Sequence, residues 1–359
     1  MTAYKKYFPI TKQCTYLNTP ASGVLPLPVL EYRQEHDFDF FMMGSAIKDN
    51  RGPALTAVRE KVGTLFSCAP NRVALVPNFS YGFNTLLEGV PTLQKVLLLE
   101  QDYPSVNWPF ESRDFEITYT QIDGDLEQHV ETAFAKAPPD IFAFSAVQYI
   151  NGIKIDFEFL KRLKATYPDT LFFADATQYF GTEVFDFDTS AFDVMGGSCY
   201  KWMNAGYGNA IFLFKEAVAK KVFPKTTGFN SLQGKYKAQE GSFLGRFEPG
   251  HQDTLNYGSL GVAIDLINQI GMETIEERIQ ELATKAKTAF TERGLLEDAV
   301  VQRTAHSSIF NLKGDKALAK HLNERGITCI LRGDGVRVGF QYFNTEADLQ
   351  VLLDALASF

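Results

Sequence analysis

Seven short apolar runs alternate with helix-like stretches over residues 72–214, and this alternation constrains the fold more than any other feature of the chain. The runs are Val73–Val76, Val96–Glu100, Glu116–Tyr119, Ile141–Ser145, Leu171–Ala174, Val194–Gly196 and Ala210–Phe214. Several are apolar at every position, which is typical of strands covered on both faces. The alternation predicts an α/β domain with a mostly parallel seven-stranded sheet, in which ligands bind at the carboxyl ends of the strands.

The pattern changes after Gly250. Helical periodicity covers Tyr257–Ile270 and Met272–Arg293, and a mixture of shorter strands and helices follows. Thr345 and Asp348 have the spacing of a capping box, which predicts the start of a final helix. This region is therefore expected to be an α+β unit, distinct from the α/β sheet before it.

A chain of 359 residues is longer than one hydrophobic core usually organises. We predict a large domain over residues 15–250 and a small C-terminal domain over residues 251–359, with residues 1–14 as a segment able to pack on the small domain. The composition is that of a globular protein, with 45% hydrophobic and 22% charged residues.

Charge, cysteine and histidine usage exclude several classes of function. A net charge of −8, spread without blocks, argues against nucleic acid as a partner, and no apolar run approaches the length of a membrane span. The histidines lack ligand spacing, so no metal site is predicted. The cysteines form no CxxC pair, which favours free thiols in a reducing cytoplasm. They are Cys14, Cys68, Cys199 and Cys329.

One lysine lies among small and hydroxyl-bearing residues directly after an apolar run. From Gly196 to Gly206 the sequence is Gly-Gly-Ser-Cys-Tyr-Lys-Trp-Met-Asn-Ala-Gly, and the lysine is Lys201. A lysine amine forms a Schiff base where its surroundings favour the neutral form, and neighbouring hydroxyls are able to hold a phosphate. Taken alone, Lys201 is more simply interpreted as an ordinary loop lysine.

A carboxylate at the end of another apolar run changes that weighting. Asp175 follows Leu171–Ala174 and precedes Lys201 by 26 residues. A buried carboxylate needs a positive or hydrogen-bonding partner, and a protonated pyridine nitrogen is one that also makes the ring an electron acceptor. Gln178 is placed to donate to the phenolic oxygen of the same ring. The alternative role for Asp175 is a helix N-cap.

Together these residues resemble the class V aminotransferase family of fold-type I pyridoxal-phosphate (PLP) enzymes. Asp175–Gln178 is similar to the family's Asp-x-x-Gln, and Ser198–Lys201 to its Ser-x-(His/Tyr)-Lys. The family includes cysteine desulfurases, selenocysteine lyases, isopenicillin N epimerases and kynureninases, and Tyr200 resembles the kynureninase-like form. The resemblance covers essentially the whole chain. It implies that PLP is carried as a Schiff base on Lys201, with Asp175 as the partner of the ring nitrogen.

The same resemblance implies further cofactor contacts. Asn78–Asn84 opens a helix where the family binds its phosphate, and helix N-termini attract anions. The loop Glu100–Ser105 resembles the family's Glu-Phe-Pro-Ser loop, which places Tyr103 on the pyridine ring; a core tyrosine is the alternative. His251 lies where the family supplies a phosphate contact across a dimer. The implied cofactor-binding residues are Phe79, Ser80, Tyr103, Asp175, Gln178, Ser198, Tyr200, Lys201 and His251.

Substrate contacts are also implied by the resemblance. Gly335–Thr345 is similar to the family's Val-Arg-(Ile/Ala)-Ser…Tyr-Asn-Thr, so Arg337 matches the arginine that grips the α-carboxylate with its two-pronged donor. Tyr149 lies in a loop that resembles the one passing the substrate side of the cofactor. Ala21 ends Tyr16–Ala21, which resembles the amino-terminal segment that closes over the substrate.

We therefore predict a cytoplasmic homodimer with shared active sites, acting on an α-amino acid, with the freed Lys201 as general base. A class V aminotransferase is the first expectation. The alternatives are a PLP-dependent lyase resembling desulfurases, selenocysteine lyases or kynureninases, a racemase or epimerase, and a non-catalytic PLP-fold protein with a binding or regulatory role. The retained Lys201 argues against the last.

Two residues bear on the substrate. Desulfurase chemistry needs a mobile nucleophilic cysteine ahead of the arginine, whereas Cys329 lies eight residues before Arg337 in an apparent strand, Ile327–Leu331. Cys329 is therefore expected to be a core thiol, which disfavours that chemistry. An acidic or phosphorylated amino acid stays open as the substrate, because Arg332 is placed to add a second anion contact.

Overall fold

The structure is a computed structural model that describes residues 4–231 and 243–359. In chain order its strands are β1 (Thr15–Tyr16), β2 (Val73–Val76), β3 (Lys95–Leu99), β4 (Glu116–Thr120), β5 (Ile141–Ser145), β6 (Leu171–Asp175), β7 (Val194–Ser198), β8 (Ala210–Phe214), β9 (Ile309–Lys313), β10 (Ile327–Thr328), β11 (Ile330–Arg332) and β12 (Gly335–Gly339).

The α-helices, also in chain order, are α1 (Leu27–Met43), α2 (Arg51–Phe66), α3 (Phe79–Glu88), α4 (Pro104–Glu111), α5 (Leu126–Lys136), α6 (Phe157–Thr166), α7 (Phe243–Phe247), α8 (Thr254–Ile270), α9 (Met272–Glu292), α10 (Asp298–Gln302), α11 (Lys316–Glu324) and α12 (Glu346–Ala357).

Strands β2 to β8 form one seven-stranded sheet in the order β2-β8-β7-β6-β5-β3-β4. All neighbours are parallel except those of β8, which is antiparallel to both β2 and β7. Leu97 and Leu99 face one hydrophobic cluster, and Val96 and Leu98 face a second cluster on the other side. Burial on both faces explains why these strands are apolar at every position. The predicted mostly parallel α/β sheet is confirmed.

A second sheet holds three antiparallel strands in the order β11-β12-β9, and α9, α11 and α12 pack around it. The prediction of a single strand at Ile327–Leu331 is wrong. The segment forms two short strands, of which β10 pairs with β1 and β11 pairs with β12. The capping box that opens α12 is confirmed: the side chains of Thr345 and Asp348 each bond the other's backbone N–H.

The amino-terminal segment pairs with strands of the C-terminal unit. β1 pairs with β10, and Asn18 forms a bridge with Gly339, so residues 15–18 lie on the C-terminal unit. Helix α8 packs instead against α1 and α2 beside the large sheet. The predicted division at residue 250 stays a prediction.

Helices α1 and α2 were not predicted from the sequence. In α2 the buried residues Leu55, Val58, Val62 and Phe66 do form a helical stripe, whereas the apolar residues of α1 do not. In α1 a single residue, Val29, is buried, while Phe38, Phe40 and Phe41 near its end are 58–82% exposed. Within residues 4–231 and 243–359 no helix is long and apolar enough to cross a membrane. The expectation of free thiols is confirmed for all four cysteines.

Candidate active site

A cavity of about 130 Å³ opens where the carboxyl ends of β2, β5, β6 and β7 meet. These strands run in the same direction, because β8 reverses the chain between β2 and β7. Nine of the twelve predicted site residues line this cavity: Phe79, Ser80, Tyr103, Tyr149, Asp175, Gln178, Ser198, Tyr200 and Lys201. The sheet thus brings together side chains that are more than 120 residues apart in the sequence.

The amine of Lys201 lies inside this cavity. Its side chain is buried, and its Nζ is 5.9 Å from the ring centroid of Tyr103 and 5.8 Å from that of Tyr200. Burial lowers the pKa of Lys201, since the charged form loses hydration; Asp175 opposes this shift, while Arg337 and Arg332 add to it. The surroundings therefore favour the neutral, nucleophilic amine.

The turn that contains Lys201 is held by hydrogen bonds from the amino-terminal segment to the residues around the lysine. The N–H of Gly23 donates to the carbonyl of Tyr200 at 3.0 Å, and that of Val24 donates to the side chain of Asn204 at 3.1 Å. A Cβ at position 23 would lie 2.0 Å from the Lys201 carbonyl oxygen, so only glycine permits this approach. The segment therefore fixes the turn that carries the amine.

Asp175 ends β6 at the floor of the cavity and is buried. Its Oδ1 accepts a hydrogen bond from the N–H of Thr177 at 2.7 Å, and it forms no ion pair among the described residues. Burial raises its pKa, the bonds from Thr177 and the charge of Lys201 lower it, and buried Asp102 raises it. An unpaired buried carboxylate of this kind is suited to a cationic partner that the protein itself does not supply.

The start of α3 forms the opposite end of the cavity. Asn78 caps this helix by accepting a hydrogen bond from Tyr81 N at 2.9 Å, and Phe79 N donates to Ser198 Oγ at 3.0 Å. The hydroxyl of Ser80 bonds to that of Ser105 at 2.8 Å. Hydroxyls and a helix N-terminus that converge on one point suit a phosphate, because unpaired N–H groups and the helix dipole both favour an anion.

Gln178 lines the cavity with its amide already engaged at both ends. Its Nε2 donates to the carbonyl of Pro20 at 2.9 Å, and its Oε1 accepts from the indole of Trp202 at 2.7 Å. One amide hydrogen remains for the predicted bond to a ring oxygen. Trp202 thus orients Gln178, a role that the sequence did not predict.

Arg337 lies beside the cavity, on β12. Its side chain is buried; Nη1 donates to the carbonyl of Tyr149 at 2.6 Å, and Nε has no partner among the residues that the structure describes. Burial, together with the charge of Arg332, lowers its pKa to about 10. The Tyr149 ring meets Tyr103 edge to face at 5.1 Å, so the guanidinium is tied to the aromatic wall of the cavity. Unpaired donors on a buried guanidinium suit a carboxylate ligand.

The last two predicted residues lie outside the cavity lining. Ala21 is half-buried in the turn that begins at Asn18, next to the Gly23 contact with Tyr200. His251 is exposed, with its ring 6.0 Å from that of Phe229, and is not brought to the cavity within one chain.

Several lining residues were missed. The hydroxyl of Thr177 accepts a hydrogen bond from Ser198 N at 3.1 Å, and Ser145 N donates to the carboxylate of Asp102 at 2.7 Å. The signal available for Ser145 was its place at the end of a predicted strand. In the described part of the chain no group of three His, Cys, Asp or Glu residues is able to hold a metal ion.

Comparison with known proteins agrees with this geometry. The family model described as aminotransferase class-V matches residues 15–352. The apo cysteine desulfurase of Thermococcus onnurineus is 16% identical, with a TM-score of 0.84 over 99% of this chain and 96% of that one. A comparison with curated proteins finds no match.

Two solved structures of one further protein, C-DES, are also similar. A lysine-to-alanine mutant of C-DES with glycine covalently linked to its PLP cofactor is 18% identical, with a TM-score of 0.87 over 100% of both chains. The cystine C–S lyase C-DES in complex with its product, cysteine persulfide, is 20% identical, with a TM-score of 0.85 over 98% of this chain and 99% of that one. At these identities the likeness establishes the fold.

Proposed function

Because this chain belongs to the class V aminotransferase family, we propose that it is a PLP-dependent enzyme that acts on an α-amino acid, first of all as an aminotransferase. The observation that carries this proposal is one buried amine with a lowered pKa, Lys201, in the same cavity as the unpaired carboxylate of Asp175. Amine and carboxylate are the two groups that PLP chemistry requires of a protein.

The residues present fit the cofactor. The unpaired Asp175 carboxylate matches a protonated ring nitrogen, and the start of α3 with Ser80 and Ser198 matches a phosphate. Tyr103 offers a ring face about 6 Å from the amine, as a stacking partner requires. When bound, PLP supplies an electrophilic carbonyl and a ring that accepts the electron pair released at the substrate α-carbon.

The protein's own residues divide the remaining work. Lys201 would hold the cofactor covalently, and its Nζ would take the proton from the substrate α-carbon. Arg337 binds the α-carboxylate, and Asp175 keeps the ring nitrogen protonated by its negative charge. The aromatic wall of Tyr103 and Tyr149 excludes water from the reacting atoms.

The thiols of this chain bear on the choice between transfer and elimination. Burial raises the pKa of Cys329 and of Cys68 to about 11, and none of the four thiols lies among the cavity-lining residues. A desulfurase route through an enzyme thiolate is therefore not supported. An eliminating C–S lyase that needs no protein thiol is the second candidate, because C-DES, which shares this fold, is described as a cystine C–S lyase.

One screen tests the proposal and separates these outcomes. Purified PLP-loaded protein is incubated with single amino acids and an oxo-acid acceptor, and oxo-acid, new amino acid, sulfide, persulfide and selenide are measured. An aminotransferase yields an oxo-acid and a new amino acid in equal amounts. Sulfide, persulfide or selenide without a new amino acid would establish the lyase instead, and no product from any amino acid would overturn the enzyme proposal.

Substitution of Arg337 is expected to weaken amino-acid binding in steps. Arg337→Lys keeps the charge and loses the two-pronged geometry, whereas Arg337→Ala loses both. We expect KM to rise progressively through this pair, with a total loss of about 1.5–3 kcal/mol for the charged hydrogen bonds. Steady-state kinetics with the best amino acid from the screen measures the effect.

An amine substrate without a carboxylate is the control for this series. It should show almost the same KM in wild type and in both variants. An unchanged amino-acid KM in Arg337→Ala would mean that the carboxylate is held elsewhere, with Arg332 as the next residue to replace.

We also propose that the enzyme is a homodimer with shared active sites, in the cytoplasm. Support comes from the end of α1, where Phe38, Phe40, Phe41 and Met42 are 58–82% exposed in one chain. An apolar patch of this kind is typical of a covered interface. His251 is then a residue that one subunit offers to the other, and the four free thiols agree with a reducing compartment.

Phe41→Glu should disrupt this dimer, because it places a charge in the apolar patch. We expect the dominant species in light scattering after size exclusion to change from dimer to monomer, with loss of activity. Phe359→Glu is the control: Phe359 is 64% exposed at the end of the chain, and its replacement should leave the dimer intact. A wild-type protein that is a monomer at assay concentration would contradict the proposal.

A further inference from the structure

Arg332 and Arg337 lie on the same face of the C-terminal sheet. In the antiparallel pair of β11 and β12, Arg332 is opposite Gly335, and Arg337 is two residues further along β12. Diagonal neighbours of this kind share a face with a spacing of about 7–8 Å. Arg332 is exposed where Arg337 is buried, so one guanidinium lies at the inner end of the face and the other nearer the solvent.

The charge of Arg332 reaches the candidate active site. Its positive charge adds to the lowering of the pKa of Lys201 and Arg337 and opposes the rise that burial causes in the pKa of Tyr103; all three groups lie in or beside the cavity. In the described part of the chain neither arginine forms an ion pair with a carboxylate. Asp334, two residues from Arg332, lines a separate cavity of about 420 Å³ together with Gly333 and Ile150.

The backbone at Arg332 is anchored in this position. Asn311, which lies opposite Arg337 on β9, donates from Nδ2 to the carbonyl of Arg332 at 2.6 Å, across Gly335. A Cβ at position 335 would lie 1.9 Å from Asn311 Oδ1, so the glycine leaves room for this reach. Gly333 in the same turn approaches Ile150 of the loop that carries Tyr149. The turn is thus fixed against the substrate side of the cavity.

We propose that Arg332 is a specificity-determining residue that binds a second anionic group, so the substrate is an α-amino acid whose side chain ends in a carboxylate, phosphate or sulfinate. This inference rests on the proposed function. The α-carboxylate of the substrate pairs with Arg337, and the carboxylate of Asp175 pairs with the ring nitrogen. Neither is then a partner for Arg332. Arg332 then remains as an unpaired positive charge beside the bound substrate. A substrate with an anionic side chain pairs with this charge, whereas a substrate with a neutral side chain does not.

Matched pairs of amino acids test this assignment in the PLP-loaded enzyme. The pairs are aspartate with asparagine, glutamate with glutamine, and O-phosphoserine with serine. We expect the wild type to prefer the anionic member in at least one pair, and Arg332→Gln to reduce that preference in kcat/KM by roughly tenfold, the size of one partly exposed charged hydrogen bond. Arg332→Lys should retain part of it. Arg293→Gln, at an exposed arginine at the end of α9, should retain all of it.

Binding without turnover gives a second, independent measurement. Succinate and butyrate have the same number of carbon atoms but differ by one carboxylate, and calorimetric titration of each gives its Kd. We expect succinate to bind more tightly to wild type, and Arg332→Gln to remove the difference while butyrate is unchanged. Equal Kd values for succinate and butyrate in wild type, or a loss of kcat/KM in Arg332→Gln that is equal within every pair, would overturn the assignment.

Different results would exclude the role of Arg332 and the proposed function. If neutral amino acids are turned over as well as the anionic ones, the assignment of Arg332 is wrong and the proposed function stands. If no amino acid is turned over, the proposed function is wrong, and the comparison of succinate with butyrate still decides whether Arg332 binds a second anion.

Discussion

Replacing Lys201 by alanine is expected to lower turnover of the best amino acid by about two to four powers of ten, the usual contribution of a general base. The buried amine both anchors the cofactor and moves the α-proton, and Asp175, the carboxylate in the same cavity, has its own role at the ring. The variant should also release PLP on dialysis. Steady-state rates and the absorbance of the dialysed protein measure the two effects.

Two controls separate chemistry from folding in this experiment. Lys220→Ala removes an exposed lysine and should have wild-type activity. Added methylamine should restore part of the rate of Lys201→Ala, because a free amine is able to occupy the space left by the side chain and take the proton. Turnover of Lys201→Ala within tenfold of wild type would show that another group is the base.

Asp175→Asn is the second large expected effect, and it should act on rate more than on cofactor retention. The phosphate contacts at Ser80 and Ser198 remain, but the ring nitrogen loses its anionic partner while negative charge develops at the α-carbon. Loss of that stabilisation should cost several powers of ten in kcat, of the order of 10³. Rates of the reconstituted variant at saturating substrate measure it.

The retained cofactor is the internal control for Asp175→Asn, since its Kd for PLP should change far less than its kcat. Asp140→Asn is a second control. Asp140 directly precedes β5, at the amino-terminal end of the strand, where its carboxylate accepts a hydrogen bond from Lys95 N, and this variant should have a nearly normal rate. A near-normal kcat in Asp175→Asn would show that this carboxylate is not the partner of the ring nitrogen.

The sequence predicted the sheet and the centre of the site because both follow from local patterns. Strands buried on both faces are apolar at every position, and Asp175 and Lys201 come at or just after the ends of such strands, which meet at one edge of a parallel sheet. Arg337 was reached only through the resemblance to the family, since nothing local distinguishes a buried arginine on a strand from an exposed one.

Contacts between segments far apart in the chain could not be predicted from the sequence. The tie between Trp202 and Gln178 and the approach of Gly23 to Lys201 depend on tertiary packing over long separations. Helix α1 was missed for a different reason: its apolar residues remain exposed in the single chain, so they do not follow the one-sided pattern by which helices are recognised. His251 stays a prediction, because its proposed partner belongs to a second subunit.

Borohydride reduction identifies the lysine that holds the cofactor. The PLP-loaded protein is treated with sodium borohydride, which fixes the cofactor on the lysine that holds it, and is then digested and mapped by mass spectrometry. We expect a pyridoxyl group in stoichiometric amount on Lys201 and on no other lysine. A label on a different lysine, or no label on a protein that retains PLP, would contradict this expectation.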